Sequence, residues 1–402
     1  MTATGTEGGV RGATLPATHE GDWRSDVQVL RMTFPQTVEL FIRARPRAQA
    51  IGFLEQARSA YRSLFAALQA HGACPRDLVT EKVLLSHIGT EMPLVQAVRH
   101  DFHRAGGGAV TPATTWVQQP PVRPGQSCEI QGYAVIATSS VRRRVRPVAD
   151  PPPGSSGQVV EAGGLRLLYL ANVAGVVPRG RDRRAEAVSM FERAEACLRS
   201  EGLSFRDVVR TWIYVREMGE VYDDLNRART AFFQSRRVSP LPASTGIQGV
   251  PFPPERTYSL DIRAVSAGAP VVPIHSPTMN EAPRYGSAFS RGVRVSLDDR
   301  VVLYVSGTAS IDAEGRVVHV GDFEGQADRM LANIERLLAG QGASPRDVVC
   351  ATTYLKRPSY LDGFLRACRR RGFPEAVPNT VCRAEVCRPE WLCEMEVTAV
   401  LG

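Results

Sequence analysis

An eight-residue phrase that occurs three times constrains any fold of this chain. Gly72-Ala73-Cys74-Pro75-Arg76-Asp77-Leu78-Val79 returns as Gly202-Leu203-Ser204-Phe205-Arg206-Asp207-Val208-Val209 and again as Gly342-Ala343-Ser344-Pro345-Arg346-Asp347-Val348-Val349. The copies lie roughly one domain length apart. Their flanks repeat as well. An amphipathic helical run precedes each copy, at 57–69, 185–199 and 326–338; in the last, Met330, Ile334 and Leu337 share one face. A β-rich run follows each, at 80–85, 210–215 and 350–355, and then a second helix, which in the third copy opens with the capping-box pattern Ser359-Tyr360-Leu361-Asp362.

Each unit opens with a strand (38–42, 167–170, 301–305) and closes with a Pro-led segment and a hairpin. The last strands align as Cys128-Glu129-Ile130-Gln131, Ser259-Leu260-Asp261-Ile262 and Cys393-Glu394-Met395-Glu396. This order predicts an α+β chain of three modules, each a β-sheet covered by two helices. Three such sheets associate most naturally around a pseudo-threefold axis, so that a monomer copies a cyclic trimer. The expected divisions are a disordered tail over 1–25, a divergent module over 26–140, a Pro/Arg-rich linker over 141–157, a second module over 158–270, a linker over 271–284 and a C-terminal module over 285–402.

Composition excludes several classes of function. The 402 residues are 43% hydrophobic and 22% charged, ordinary globular material with enough apolar content for two or three cores. The net charge of +8 is spread along the chain, and its densest cluster, Arg142-Arg143-Arg144 with Arg146, runs into the prolines 147 and 151–153. It reads as a solvated linker, and no nucleic-acid partner is expected. The arginine surplus suits a small polyanionic substrate equally well. The eight cysteines form no C-x-x-C pair and no zinc spacing, so reduced thiols in a cytoplasmic protein are expected, with no metal. No run reaches the length of a membrane span, and no phosphate-cradling glycine loop or ligand cluster suggests a cofactor.

The sharpest chemical signal is the final strand. Glu394 and Glu396, two residues apart in an apolar run, fall on one face by strand alternation. Burying an ionised carboxylate is costly, so each is either ion-paired or a neutral acid of raised pKa, and only the second state is what a general acid needs. The third copy also holds Ser306-Gly307-Thr308, His319, Asp322, Gln326 and Arg383. His319 and Asp322 fit helix capping as well as substrate contact. Glu129 occupies the place of Glu394 in the first copy, in different surroundings, and reads as a relic.

Taken together these words resemble a known family. The module is similar to the RidA/YjgF-type unit, which is also seen in trimeric bacterial chorismate mutases. The third copy more closely resembles the chorismatases, bacterial enzymes that remove pyruvate from chorismate. The matching words are Tyr285-Gly286, Leu303 through Ala309, Val318-His319-Val320-Gly321-Asp322 with Gly325-Gln326, Asn333, Cys387-Arg388 and Glu394-Met395-Glu396. In the second copy Tyr222, Arg229 and Pro242 through Ile247 match as well.

The resemblance implies that Glu394 is the catalytic acid for the enolpyruvyl ether, with Glu396, His319, Asp322 and Gln326 supporting it. It places Gly307, Thr308, Tyr222, Tyr285 and Arg229 around the substrate. Arg383 joins them as a candidate from its strand position alone. Gly307 and Cys387 match the branch that forms 3-hydroxybenzoate rather than a dihydrodiol, with Cys387 assisting ring opening. The expected function is thus a cofactor-free 3-hydroxybenzoate synthase. The competing readings are a chorismate hydrolase, a RidA-type imine deaminase and a non-catalytic ligand-binding module.

Overall fold

The repeated phrase is a turn that the chain builds the same way three times. Gly72, Gly202 and Gly342 adopt φ of 76°, 70° and 75°, a left-handed conformation that favours glycine. The aspartate of each phrase then accepts the backbone N–H of the residue three before it: Asp77 from Cys74, Asp207 from Ser204 and Asp347 from Ser344, all at 2.7 Å. This closes a one-turn 3-10 helix and feeds the chain directly into a central strand. The recurrence is therefore one of backbone geometry as well as of sequence.

A computed structural model describes residues 17–402 apart from 108–110, 139–142, 150, 163–164, 178–179, 181 and 267. The first module contains β1 (Ala17–Glu20), β2 (Val27–Thr33), β3 (Thr37–Ala44), α1 (Phe53–Ala70), β4 (Leu78–Leu85), α2 (Ile88–Ala105), β5 (Ala113–Gln118) and β6 (Cys128–Ala137). The second contains β7 (Arg143–Pro147), β8 (Ser156–Ala162), β9 (Leu165–Ala174), α3 (Arg183–Ser200), β10 (Val208–Val215), α4 (Glu220–Ser235), β11 (Ala243–Gln248), β12 (Val250–Pro251) and β13 (Tyr258–Val265). The third contains β14 (Val271–Ile274), β15 (Gly292–Ser296), β16 (Val301–Thr308), α5 (Phe323–Ala339), β17 (Val348–Leu355), α6 (Leu361–Arg370), β18 (Asn379–Arg383) and β19 (Cys393–Leu401).

The sheet orders are β1-β2-β3-β6-β4-β5-β12, β11-β10-β13-β9-β8-β7 and β14-β15-β16-β19-β17-β18. One plan underlies all three: a hairpin, a helix, a central strand, a second helix, a parallel edge strand and a last strand inserted at the middle of the sheet. The first strand of each sheet falls where linkers or tail were expected. β1 takes residues 17–20 of the expected tail, whose first 16 residues lie outside the described ones, while β7 falls in the expected linker 141–157 and β14 in the expected linker 271–284, so the expectations are corrected at those three strands. The arginine-rich segment pairs with β8, and Arg146 is held by Glu201 at 2.8 Å. A charged strand at a sheet edge blunts further pairing, which is why its composition imitated a linker. The capping box expected at Ser359 does not form either: Pro358–Tyr360 makes a 3-10 turn, and α6 starts from Tyr360 without a side-chain cap.

One face of each sheet packs on its own two helices, and the other faces the sibling modules. A shared core there draws Tyr133 from the first module, Tyr169 from the second and Tyr304 from the third, with Arg263 stacked against all three rings at 4.7–5.2 Å. The seams close in a ring. β12 adds to the sheet of the first module, Ala243 bridges Ser290 of the third, and Pro121 bridges Cys382. Charge also crosses: Arg300 of the third module, 5% exposed, pairs with Glu39 of the first and with Asp299 at 2.8 Å. Replacing Glu39 by Met strands part of that buried cation, so unfolding in denaturant should show a loss of about 3 kcal/mol. An unchanged transition midpoint would mean that this seam contributes no stability.

Candidate functional site

The last strand of each module pairs on both sides, and its register decides which residues are equivalent. Glu394 lies opposite Tyr354, Ser259 opposite Tyr214 and Glu129 opposite Leu84. The second copy therefore aligns as Tyr258-Ser259-Leu260-Asp261, one residue earlier than sequence comparison alone suggests. Asp261 thereby becomes the counterpart of Glu396. Apolar flanking residues had masked the slip, because Tyr258 replaces the cysteine that marks the other two copies.

Cys393, Met395 and Val397 point into the helix-covered core of the third module. Alternation turns Glu394 and Glu396 the other way, into the seam with the second module, and both are 5% exposed. Their fates then separate. Glu396 meets Arg210 at 2.6 Å, the indole N–H of Trp212 at 2.8 Å and Lys82 of the first module at 4.0 Å. Burial opposes its ionisation, but Arg210, Lys82 and the hydroxyl of Thr245 outweigh it and hold its pKa below the usual carboxylate value. Thr245 also accepts from Arg210 at 2.6 Å and from the Gly307 N–H at 3.0 Å, which leaves its own proton for Glu396.

Among the described residues no ion pair or hydrogen bond reaches the Glu394 carboxylate. Burial pushes its pKa up to about 8, the ionised Glu396 adds to the rise, and Arg210 and Arg291 pull against it. At neutral pH one carboxyl of the pair is charged and the other carries a proton. The Glu394 carboxyl lies over Gly307, in the space that a Cβ at 307 would need. Gly307 thus provides the seat of the acid.

The second module covers this seat with β11 and α4. Ser244 donates its N–H to the Ser306 hydroxyl at 2.9 Å, continuing the seam into Ser306-Gly307-Thr308. Arg229, 1% exposed, reaches Ser244 at 3.3 Å and Asn226 at 2.6 Å and lies over the Phe289 ring at 5.4 Å. The Tyr222 ring rests on Gly246, where any side chain would collide with it, and bonds the Cys387 thiol. Burial, with Glu394 nearby, pushes the Cys387 pKa up to about 12, so this group is a thiol and not a thiolate.

The remaining expected residues fall into three groups. Thr308 is buried and donates to the Ser306 carbonyl at 2.8 Å. Gln326, fully buried, accepts the Leu392 N–H at 2.9 Å and donates to the Glu390 carbonyl at 2.8 Å, so it anchors the loop that enters β19. Asp322 caps α5 by accepting from Gly325, and His319, at φ 59°, supplies a carbonyl to Gln326; both side chains are exposed. Arg383 requires correction: its side chain is exposed and its N–H bonds the Pro120 carbonyl of the first module, away from the seam that holds Glu394. Two strands of β-pairing separate β18 from β16, a distance that strand position alone could not reveal. The Tyr285 side chain lies outside the described residues.

Sequence reasoning missed Arg210, Thr245 as a proton-ordering group, Lys82 and Arg291. Arg291 is 3% exposed, grips Asn280 at 2.7 Å and is the third-module cation that acts on Glu394. No motif marks Arg210, Lys82 or Arg291, because their roles arise from three modules meeting. All eight cysteines are free thiols. Among the described residues no group of metal-ligating side chains occurs, and no helix is long and apolar enough to cross a membrane.

Known proteins share parts of this architecture. Residues 279–401 match the family model described as Endoribonuclease L-PSP. A RutC family protein from Pyrococcus abyssi is 34% identical over 76 residues, which is 19% of this chain and 57% of that protein, so the chain spans little more than half of its curated relative. Among solved structures, RidA from the Antarctic bacterium Psychrobacter sp. covers 32% of this chain and is itself covered over 98%, at 21% identity and a TM-score of 0.27. The crystal structure of a chorismatase covers 81% of this chain and is covered over 93%, at 18% identity and a TM-score of 0.59. With its three mixed sheets, each backed by helices and closed around a common seam, the chain has the α+β fold of that chorismatase, built from three modules of one plan.

Proposed function

We propose that this protein is a chorismatase that converts chorismate to 3-hydroxybenzoate and pyruvate. The observation that carries this reading is the Glu394 carboxyl, buried in a seam beside an already ionised partner, so that it keeps its proton at neutral pH. A vinyl ether is hydrolysed or displaced only after its terminal carbon is protonated, and a neutral carboxylic acid in a dry site is a suitable donor.

Glu394 gives its proton to the methylene of the enolpyruvyl group, and positive charge develops on the carbon that bears the ether oxygen. The resulting Glu394 carboxylate stabilises that charge. The substrate's own 4-hydroxyl then attacks the adjacent ring carbon, the C–O bond to the side chain breaks, pyruvate leaves, and the hydroxyl proton returns to Glu394. Opening of the arene oxide and loss of a ring proton give the phenol. No water is consumed, and the atoms of chorismate equal those of the two products. Cys387, held as a thiol against Tyr222, is placed in this scheme as the proton carrier for ring opening. The substrate carboxylates are assigned to Arg229 and Arg291, whose guanidinium groups flank Phe289.

Gly307 acquires a specific role in this scheme. Because Glu394 occupies the space of the missing Cβ, alanine at 307 moves the acid itself, and a changed product follows from a changed direction of protonation. Hydrolysis to a dihydrodiol remains the alternative, favoured if water replaces the 4-hydroxyl once the acid is displaced.

Four outcomes test the proposal. Glu394→Gln should lower pyruvate release roughly 10²–10⁴-fold in a coupled assay, and an unchanged rate would eliminate the acid. In wild type, kcat/KM should fall as pH rises through about 8, where Glu394 ionises. The same group should affect stability. Its folded pKa is raised from 4.5 to about 8, so the contribution is full below 4.5 and is lost as pH rises through 8. Wild type should therefore lose about 1.4 kcal/mol of stability per pH unit relative to Glu394→Gln across that window in denaturant titrations. Finally, Cys387→Ala should retain pyruvate release but change the aromatic product fraction seen by chromatography; an identical product pattern would remove the thiol from the mechanism.

A further inference from the structure

The first module carries an acid at the register of Glu394, and its setting is more than a remnant. Glu129 is 3% exposed on β6 and is covered by the third module just as Glu394 is covered by the second. Beside it a cleft of about 60 Å³ runs between the first and third modules. Its two walls differ in kind. α6 supplies Leu361, Phe364, Leu365 and Cys368, while the first module supplies Arg43 and Arg123.

Arg43 stands on β3 opposite Gln131, where the third module has the bulge that contains Gly307. It is 4% exposed, and its Nη2 donates to the Ser25 carbonyl at 2.8 Å, yet its Nε is buried with no hydrogen-bond partner. One Glu129 oxygen and the Trp23 indole N–H are likewise buried without partners. Arg123 stacks on the Trp23 ring at 4.8 Å and donates to the Trp23 carbonyl, which fixes its guanidinium at the cleft. Arg45 adds a third cation, for which Asp26 at 3.9 Å is a partner. Burial raises the Glu129 pKa, and the three arginines act against that rise. An excess of buried guanidinium donors over acceptors is costly, and a bound anion relieves it.

The geometry points to a second ligand site in this cleft, one that takes a small monocarboxylate with a compact apolar body of butyrate size. Arg43 and Arg123 receive the carboxylate, and the apolar body lies on Phe364 and Leu365. The α6 residues of the cleft offer no donor to a sugar or a second charge, and Glu375, which also lines it, is already paired with Arg369 at 2.6 Å. This assignment does not depend on the reaction at Glu394, because the residues lie on a different seam.

Ligand-observed NMR titration tests it on the full chain carrying Glu394→Gln and Arg229→Gln, which disables the first seam. Butyrate should bind saturably, and butylamine, of the same shape and opposite charge, should not. Adding Arg123→Gln should weaken butyrate by about tenfold or more. Cys368→Phe, which fills the cleft from α6, should abolish binding, with circular dichroism confirming that both variants are folded. Should either variant fail to fold, a butyrate-soaked crystal of the parent protein decides, with density at Arg43 and Arg123 expected. No saturable binding, equal binding of butylamine, an affinity untouched by both variants, or butyrate density elsewhere only would overturn the assignment.

Discussion

The site depends on how two carboxyls share one buried seam. Glu394 and Glu396 leave water together because strand alternation gives them the same face. Only one finds a complete set of partners. Arg210, Trp212 and the Thr245 hydroxyl hold Glu396, and Lys82 faces it across the axis, so ionising that group is favourable despite burial. A second charge in the same seam would face both desolvation and its neighbour, and Glu394 keeps its proton. The charged member thus sets the state of the neutral one. Charges that cannot both be accommodated yield one acid and one base.

The same logic reaches across all three modules. Arg210, Trp212 and Thr245 come from the second, Lys82 from the first and both glutamates from the third. A hydroxyl recurs at each seam: Thr245 beside Glu396, Thr115 donating to Asp261 at 2.5 Å, and Thr380 beside Glu129. A homotrimer would repeat one site three times. A single chain with three different modules can tune each seam separately.

The three seams have diverged accordingly. At the register of Glu394 the second module has Ser259, and Asn172, at φ 59°, occupies the bulge where the third module has Gly307. Asn172 fills its seam by donating to the carbonyls of Gly154 and Phe252 at 2.8 Å each. The first module keeps a glutamate but places Arg43 on the strand beside it. One framework therefore presents a neutral acid, a sealed polar contact and a cationic cleft.

Much of this was legible in the chain itself. A phrase repeated three times, with helical and strand periods around it, determines three α+β modules, because turn geometry and amphipathicity are local properties. The alternation of Glu394 and Glu396 likewise determines that both share one face. Local pattern misled where edge strands rich in arginine or proline looked like linkers, and where a one-residue slip aligned Ser259 with a cysteine. Tertiary structure alone decided which acid is charged, that Arg383 turns away from the site, that Arg210 and Lys82 enter it, and that Glu129 borders a cleft. Each of these follows from the desolvation and pairing of groups far apart in sequence, and burial and partnership exist only once the three sheets have closed on one another.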